Sequence, residues 1–291
     1  TVYDSVIISH TENPPAPLTF CNATVTDNDA GIVLTWQANV ETDVVGFVVY
    51  RRRDDQTTFV AHDTIFAPLD SFYTDANAVL ADEHSYCYQM AVLDRCGNTS
   101  PISEQICTVM LDAAPVDYTS SLNWTEFVGW GNGPVEYQIW RSSPITDGFG
   151  PTFLESLPPN QFSFVDPVVN KARLCYRIIA ISDGTGCADQ SQSNEVCVNF
   201  PPTLFVPTAF TPNHDGLNDF FSSFGEFVES FRLDIYDRWG KLLFRSENVN
   251  EGWDGNLEGL PVPEGVYVYR VKVMGYNGEQ MEKEGSVTLI R

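Results

Sequence analysis

Histidine and basic residues are scarce in this sequence, and so are the patterns that carry most enzyme chemistry. Only four of the 291 residues are histidines, and none lies in an HExxH, GxSxG or phosphate-binding glycine-rich pattern. No stretch approaches the roughly 20 consecutive apolar residues of a membrane helix. No pair of cysteines has the CxxC spacing of a zinc or redox site. We therefore expect no enzymatic activity, no membrane span and no zinc site.

The charge balance excludes further classes of partner. Sixteen basic residues stand against 39 acidic ones, a net charge of −23. Phosphate backbones and anionic membrane surfaces would be repelled by such a chain. With 43% hydrophobic and 13% aromatic residues, the chain is too apolar to be disordered. The sequence thus predicts two or three folded domains that bind no nucleic acid.

Nearly every periodic segment alternates polar and apolar residues with period 2. Gly31–Trp36 and Val266–Val273 are examples, rich in β-branched and aromatic residues. Clusters of Gly, Pro, Asn and Asp separate such segments about every 8–12 residues, a spacing typical of all-β sandwiches. No convincing helix of three turns is found.

The first two thirds of the chain contain an internal repeat. Ser85–Val92 matches Arg173–Ala180, and Phe47–Arg51 matches Tyr137–Arg141, with a period of about 90 residues. That period is too long for a solenoid repeat and suits tandem sandwich domains. In both copies a Trp strand, an aromatic strand ending in Arg, an Asp and a tyrosine-rich strand follow in order, and this order resembles fibronectin type III modules.

This resemblance implies one module at 16–110 and a second at 111–200. Residues 1–10 are interpreted as the last strand of a preceding domain, with a proline-rich linker to residue 15. The alternative is that they form the first strand of the first module. With a further sandwich at 201–291, we expect an all-β chain of three tandem immunoglobulin-like or fibronectin type III-like sandwiches, held as a rod by proline linkers.

Seven cysteines in strand-like sequence indicate disulfides and an oxidising compartment. The alternative is a set of free buried thiols. Strand alternation places two cysteines of each repeat on the outer faces of neighbouring strands. The predicted pairs are Cys87–Cys107, Cys175–Cys197 and Cys21–Cys96, which leaves Cys187 without a partner.

The C-terminal segment holds five motifs in order. They are F-T-P-N-H-D-G-L-N-D, Y-D-R-W-G-K-L-L-F, W-D-G, P-E-G-V-Y-V-Y and the terminal Arg291. The set closely resembles the gliding-motility-associated C-terminal domain, the type B sorting signal of the type IX secretion system of Bacteroidetes. One departure is His214, where a small residue such as Gly is usual.

The resemblance implies a folded sorting module that is recognised during export through the outer membrane. Its partners would be the outer-membrane translocon of type IX secretion and a PorP/SprF-like outer-membrane protein, and its destination the cell surface or the medium. The candidate recognition residues are Asn213, Asp215, Gly216, Asn218, Asp219, Trp239, Gly240, Trp253, Asp254, Gly255 and Arg291.

One loop of this segment is also a candidate metal site. Asn213, Asp215, Asn218 and Asp219 offer side-chain oxygens around a glycine, which is reminiscent of the start of a calcium loop, although no bidentate Glu follows. The alternative is a network of turns in which the same side chains bind the backbone. No other cofactor is expected.

The leading hypothesis is a C-terminal fragment of a secreted or cell-surface, gliding-related or adhesin-like protein, with the two modules as spacers or adhesive units. One alternative is the non-catalytic tail of a secreted hydrolase. Another is a carbohydrate-binding module that uses an exposed Trp130 among glycines to bind a surface glycan.

Overall fold

The computed structural model describes residues 14–39, 41–116, 118–143, 150–167 and 172–291, and every regular element in these ranges is a strand. The predicted strand and linker at 1–10 and up to residue 15 lie almost wholly outside the described residues. No helix in the described part of the chain is long and apolar enough to cross a membrane.

The first module is a sandwich of a three-stranded and a four-stranded sheet. The sheets have the orders β1-β2-β5 and β4-β3-β6-β7. Alternation decides which side chains enter the core: along β2, Ile32, Leu34 and Trp36 are buried and the residues between them are half-exposed. The strands are β1 Phe20–Val25, β2 Ile32–Trp36, β3 Val44–Arg53, β4 Val60–Ile65, β5 Phe72–Asp75, β6 Tyr86–Asp94 and β7 Ile106–Cys107.

The second module repeats this plan. One sheet has the order β12-β9-β8, and the other has the order β11-β10-β13-β14, with β15 also paired to β13. The strands are β8 Leu111–Val116, β9 Thr119–Trp124, β10 Glu136–Ser142, β11 Thr152–Leu157, β12 Ser163–Asp166, β13 Arg173–Ile181, β14 Gln190–Gln192 and β15 Val196–Asn199.

The C-terminal sandwich is built around a five-stranded sheet of order β17-β24-β23-β19-β20. Two short pairs, β16 with β18 and β21 with β22, complete it. The strands are β16 Thr203–Phe205, β17 Ala209–Phe210, β18 Phe224–Glu226, β19 Val228–Tyr236, β20 Leu242–Ser246, β21 Asn256–Leu257, β22 Leu260–Pro261, β23 Gly265–Gly275 and β24 Gln280–Leu289. The predicted all-β sandwich fold is confirmed.

A fully buried carboxylate lies in the core of the first module. Asp75, at the end of β5, accepts hydrogen bonds from the Arg51 guanidinium at 2.8 Å and the Tyr88 hydroxyl at 2.7 Å. His62 Nε2 lies 3.1 Å from its other oxygen. Burial opposes ionisation of Asp75, but the bonds from Tyr88, Arg51 and His62 outweigh it and hold the pKa of Asp75 below its usual value.

The second module repeats this arrangement at the equivalent positions. Asp166 accepts hydrogen bonds from Arg141 and Tyr176, both at 2.8 Å. Burial raises the pKa of Tyr176, and the Asp166 carboxylate raises it further. Each carboxylate ties one sheet of its sandwich to the other, because its Arg and Tyr partners stand on the opposite sheet.

The two modules lie side by side along β1 and β14, which differs from the predicted rod. Asn22 Nδ2 donates to the Gln190 carbonyl, Ser191 Oγ to the Ala23 carbonyl and Gln192 N to Thr24 Oγ1, at 2.7–3.0 Å. The residue numbers of the bonded partners increase together along β1 and β14, so the two strands run parallel to each other. Buried residues of both modules form one continuous hydrophobic cluster.

A disulfide closes this junction and corrects one predicted pairing. Cys21 is bonded to Cys187, 166 residues away, with the Cα atoms 5.1 Å apart, so the prediction of Cys21–Cys96 is wrong. That prediction kept each bridge inside one module, whereas Cys187 lies just before β14, beside β1. Cys96 is exposed. The structure contains the other two predicted bridges, Cys87–Cys107 and Cys175–Cys197, across paired strands.

Replacing Asp75 by Asn should lower the free energy of unfolding by about 2–4 kcal/mol at neutral pH, because Arg51 loses its buried counter-charge. The depressed pKa adds stability that is complete above the unfolded value of about 3.9 and is lost as the pH falls through the folded value. The difference from the wild type should therefore shrink below about pH 4. Denaturant titrations across pH measure both effects, with exposed Asp55→Asn as the control. Equal loss in both variants would contradict this.

Peptide mapping of the non-reduced protein should recover a fragment that links Cys21 to Cys187. The same digest after reduction provides the control, since the linked fragment must then separate into two. Recovery of a Cys21–Cys96 fragment in its place would contradict the covalent bridge between the two modules.

Candidate functional site

Four motifs of the C-terminal sandwich meet at one end of its sheet. β17 runs parallel to the end of β24, with Phe210 opposite Leu289. The end of β24 lies beside the start of β23, with Leu289 opposite Gly265, and that start lies beside the end of β19. The loop after β17 and the turn after β19 therefore emerge at the same end. We use the name motif end for this region, which comprises the loop 211–219, the turns 237–241 and 253–255, and Arg291.

The loop 211–219 is held by its own carboxylates. Asp219 accepts the His214 N–H at 2.6 Å with one oxygen and the Gly216 N–H at 2.8 Å with the other. Asp215 accepts the Leu217 N–H at 2.8 Å and the Asn213 amide at 2.9 Å. Because these oxygens are directed at neighbouring N–H groups, the geometry is that of a turn network. Calcium binding by Asn213, Asp215, Asn218 and Asp219 remains a prediction.

The backbone of this loop explains the usual choice of a small residue at position 214. His214 and Asn218 have φ angles of +64° and +53°, and Gly216 has +88°. An L side chain in this left-handed region costs about 1–2 kcal/mol, which glycine avoids. The sequence motif of this loop thus reflects its left-handed backbone conformation as well as the hydrogen bonds of its side chains.

Arg291 closes the end of the sheet. Its guanidinium donates to the Gly255 carbonyl at 3.1 Å and to the Val262 carbonyl at 2.5 Å. Its backbone N–H donates to Glu264 at 2.8 Å. The terminal residue therefore fastens the W-D-G turn and the entry to β23 to the last strand.

Trp253 belongs to the core. It is fully buried, its indole N–H donates to the Asn256 carbonyl at 2.8 Å, and its ring packs against Phe210 and Tyr267. Asp254 accepts both the backbone N–H and the side-chain amide of Asn256. Of these two candidate recognition residues, Trp253 therefore stabilises the core, and Asp254 stabilises the W-D-G turn.

Gly255 is required by its backbone and by its surroundings. Its φ is +75°, and a Cβ atom there would lie 2.8 Å from Leu289 Cδ1 and 3.2 Å from Pro212. The glycine thus lets the W-D-G turn pack against the last strand and against the loop 211–219. This close approach joins three separate motifs into one structure.

Trp239, in contrast to the buried Trp253, is exposed to solvent. It stands at the tip of the β19–β20 turn with 84% of its surface exposed. Asp237 Oδ1 accepts the N–H groups of Trp239 and Lys241 at 2.8 and 2.9 Å, and Gly240 has the φ of +82° that the turn needs. The Arg238 guanidinium lies 5.6 Å from the centre of the indole ring. The turn therefore holds a rigid aromatic tip in solvent.

An apolar patch on the outer face of the sheet adjoins this tip. Val266 and Val268 of β23 are exposed, and Tyr236 of β19 pairs with Val268 and with Leu242 of β20. Farther from the motif end, ion pairs of Arg270 with Glu282 and Glu284 occupy the same face. Sequence analysis did not select the patch, although the alternation of β23 could have shown it.

Three basic residues lie at the motif end, Arg238, Lys241 and Arg291, together with four acidic ones, Asp215, Asp219, Asp237 and Asp254. Burial raises the pKa of Tyr267, and the charges that act on it are those of Arg291 and Arg238, which lower the pKa, and Asp237, which raises it. Lys241 belongs to the same turn. The tip thus presents an aromatic ring with positive charge beside it.

Trp130 does not form the exposed platform that the alternative of a carbohydrate-binding module requires. It is half-buried at the junction of the first two modules, where its indole N–H donates to the Cys21 carbonyl at 2.8 Å. Its ring packs on Phe127, with the ring centres 4.1 Å apart. Gly129 allows the chain to approach the first module, since a Cβ there would lie 2.6 Å from Ile106.

Replacing Gly216 by Ala should destabilise the C-terminal sandwich by about 1 kcal/mol, because φ is +88° while no atom lies within 4 Å of the added Cβ. Thermal unfolding measures the effect. Gly186→Ala is the control, since that site is equally open and has no positive φ. Gly216→Asn should regain part of the loss. Equal effects of the two alanine substitutions would refute the conformational argument.

Comparison with known proteins identifies the C-terminal sandwich. Residues 204–289 match the family model of the CHU_C type IX secretion signal domain. Among solved structures, the chain is similar to the FN1–FN3 domains of chicken CNTN1, with 11% identity over 96% of this chain and 100% of that chain. The TM-score is 0.25, so the strand pairing described above, not this likeness, defines the fold. No curated protein matches the chain.

A type IX secretion signal implies contact with the secretion machinery and a destination outside the cell or on its surface. The three disulfides agree with an oxidising destination. Domains of the kinds found in this chain are typically non-catalytic. Residues 204–289 are therefore a type IX secretion signal domain, and the chain that carries them is a secreted or cell-surface protein.

Proposed function

We propose that the secretion machinery reads the C-terminal sandwich in its folded state, at the motif end, and that Trp239 is the principal contact. The observation that carries this proposal is the contrast between the two tryptophans of the motifs. Trp253 is fully buried, whereas Trp239 is 84% exposed on a rigid turn. A large exposed aromatic ring adds nothing to the core, and such rings often provide the energy of a protein interface.

The other candidate residues then divide into two groups. Gly216, Gly240 and Gly255 provide backbone conformations, while Asp219, Asp254 and Arg291 hold turns together. These residues act by fixing the backbone of the motif end. Their loss would disturb recognition through the shape of the domain, whereas loss of Trp239 would remove a contact directly.

The exposed patch of Val266, Val268 and Leu242 extends the proposed contact surface onto the sheet. Apolar surface rimmed by polar groups is typical of protein interaction sites. The Arg238 guanidinium beside Trp239 gives the tip a local positive charge with which a carboxylate of the partner can pair. A PorP/SprF-like outer-membrane protein of a Bacteroidetes host is our candidate for this partner.

For the rest of the chain we propose the role of exported cargo in a gliding-related or adhesin-like protein. The joined pair of modules is stabilised by three disulfides, one of them between the modules. Such a pair suits a durable spacer or adhesive unit at a cell surface. We propose no catalytic role for it.

Export of a reporter fused to residues 201–291 in a host with a type IX system tests the proposal. Trp239→Ala should reduce export several-fold while leaving the stability of the domain within about 1 kcal/mol of the wild type. Trp253→Ala is the matched control, because removing a buried Trp costs about 3–5 kcal/mol. It should abolish export through loss of the fold.

Fractionation and circular dichroism separate the two causes. Reduced export of a folded Trp239→Ala reporter supports direct contact at the tip. Normal export of that variant would refute the role of Trp239. Export of an unfolded Trp253→Ala reporter would refute recognition of a folded signal.

A further inference from the structure

A cleft on the second module carries chemistry that the export signal does not use. It lies on the outer face of the sheet of β10, β13 and β14 and has a volume of about 510 Å³, within the usual range of ligand sites. Trp140 and Ile179 give it an apolar floor. Its polar lining includes Arg177, Gln190, Gln192, Glu195 and, from the first module, Asp27.

The two modules build this cleft together. Asp27 reaches it because Gln192 Nε2 donates to Asp27 Oδ1 at 2.8 Å and Arg177 donates to the Asp27 carbonyl at 3.1 Å. Arg177 also donates to the Ser193 carbonyl at 3.0 Å. The Cys21–Cys187 bond holds β1 beside β14 at this junction. The second module therefore provides most of the cleft, and the first module completes it with Asp27.

The position of the cleft limits how an occupant can be recognised. β10 and β13 lie inside the sheet, each paired on both sides. Their backbone groups are used by these ladders, so a peptide strand cannot be added there. An occupant must therefore be bound by side chains that stand up from the sheet.

The side chains of the cleft that are free to bind an occupant can form hydrogen bonds with hydroxyl groups. Within the described residues, the Gln190 amide and the Glu195 carboxylate make no side-chain hydrogen bond. An amide both donates and accepts, and a carboxylate accepts, as a row of hydroxyls requires. The indole of Trp140 offers an apolar face for the C–H surface of a ring. The Arg177 guanidinium is already bound by the Asp27 carbonyl and the Asp29 carboxylate at the junction.

The charge of the cleft excludes acidic ligands. Asp27 and Glu195 outweigh the single Arg177, and the whole chain carries −23. An anionic polymer would meet repulsion at every approach. We propose that the cleft binds a neutral oligosaccharide, stacked on Trp140 and hydrogen-bonded by Gln190, Glu195 and Asp27. This site is distinct from Trp130, which is used at the junction.

Isothermal titration of the full chain with neutral hexasaccharides of cellulose, xylan, mannan, chitin and starch tests this site. At least one should bind, and Trp140→Ala should weaken that binding about tenfold or more. Glu195→Gln and Gln190→Ala should each weaken it about three- to tenfold. Trp140→Phe, which keeps an aromatic face, should lose less than Trp140→Ala.

Trp239→Ala is the control, since it removes an exposed tryptophan from another domain and should bind like the wild type. The double variant Cys21→Ser with Cys187→Ser should also weaken binding, because β1 and β14 then lose the covalent bond that holds Asp27 and its partners together. Circular dichroism and non-reducing mass spectrometry establish that each variant is folded with its expected bridges.

Three results would overturn the proposal. The first is no binding of any neutral hexasaccharide to the wild type. The second is wild-type affinity in folded Trp140→Ala and Glu195→Gln. The third is tighter binding of alginate or pectate hexasaccharides, titrated beside the neutral ones, which would contradict the neutral class of ligand.

Discussion

Strand alternation is the constraint on which the rest of this structure depends. In a half-buried strand, each side chain that enters the core sends its neighbour to the opposite face. Along β10, Tyr137 and Ile139 are buried while Trp140 stands outside. Along β23, Tyr267 and Tyr269 are buried while Val266 and Val268 are exposed. Both surfaces that we assign to binding are therefore the outer counterparts of well-packed inner faces, and the cores make them rigid.

The same constraint explains which features could be predicted from the sequence. The repeat aligned Cys87 with Cys175 and Tyr88 with Tyr176, and alternation alone separated the inward tyrosines from the cysteines beside them. It likewise predicted strands at Gly31–Trp36 and at Val266–Val273, and both segments fall within strands of the structure. The alternation of polar and apolar residues predicts the strands and their buried faces because it depends on residues only a few positions apart. The repeat adds the correspondence between equivalent positions in two similar sandwiches.

Contacts between modules produce no comparable pattern in the sequence. Nothing in the period of β1 indicates that β14, more than 160 residues later, lies beside it, and so Cys21 was assigned to the wrong partner. Trp130 was interpreted as an exposed ring for a related reason: the glycines around it mark a sharp loop but not what the loop packs against. Trp253 shows the converse, since a tryptophan inside a turn motif carries no alternation from which burial could be predicted. The left-handed φ at His214 was equally invisible, because only the conformation of the backbone reveals why glycine is usual there.

The two proposed surfaces differ in what they require of the fold. The export tip needs only the C-terminal sandwich, in which Arg291, Gly255 and the loop 211–219 fix the end of one sheet. The cleft belongs mainly to the second module and is completed by Asp27 of the first, which the bridge over 166 residues and the contact with Arg177 keep nearby. A bridge of that span is formed only where thiols are oxidised. The proposed export tip therefore depends on one domain, whereas the complete cleft depends on the docking of two modules. The bridge that holds these modules together can close in any oxidising compartment, and the bacterial periplasm is one, so completion of the cleft does not have to wait for export.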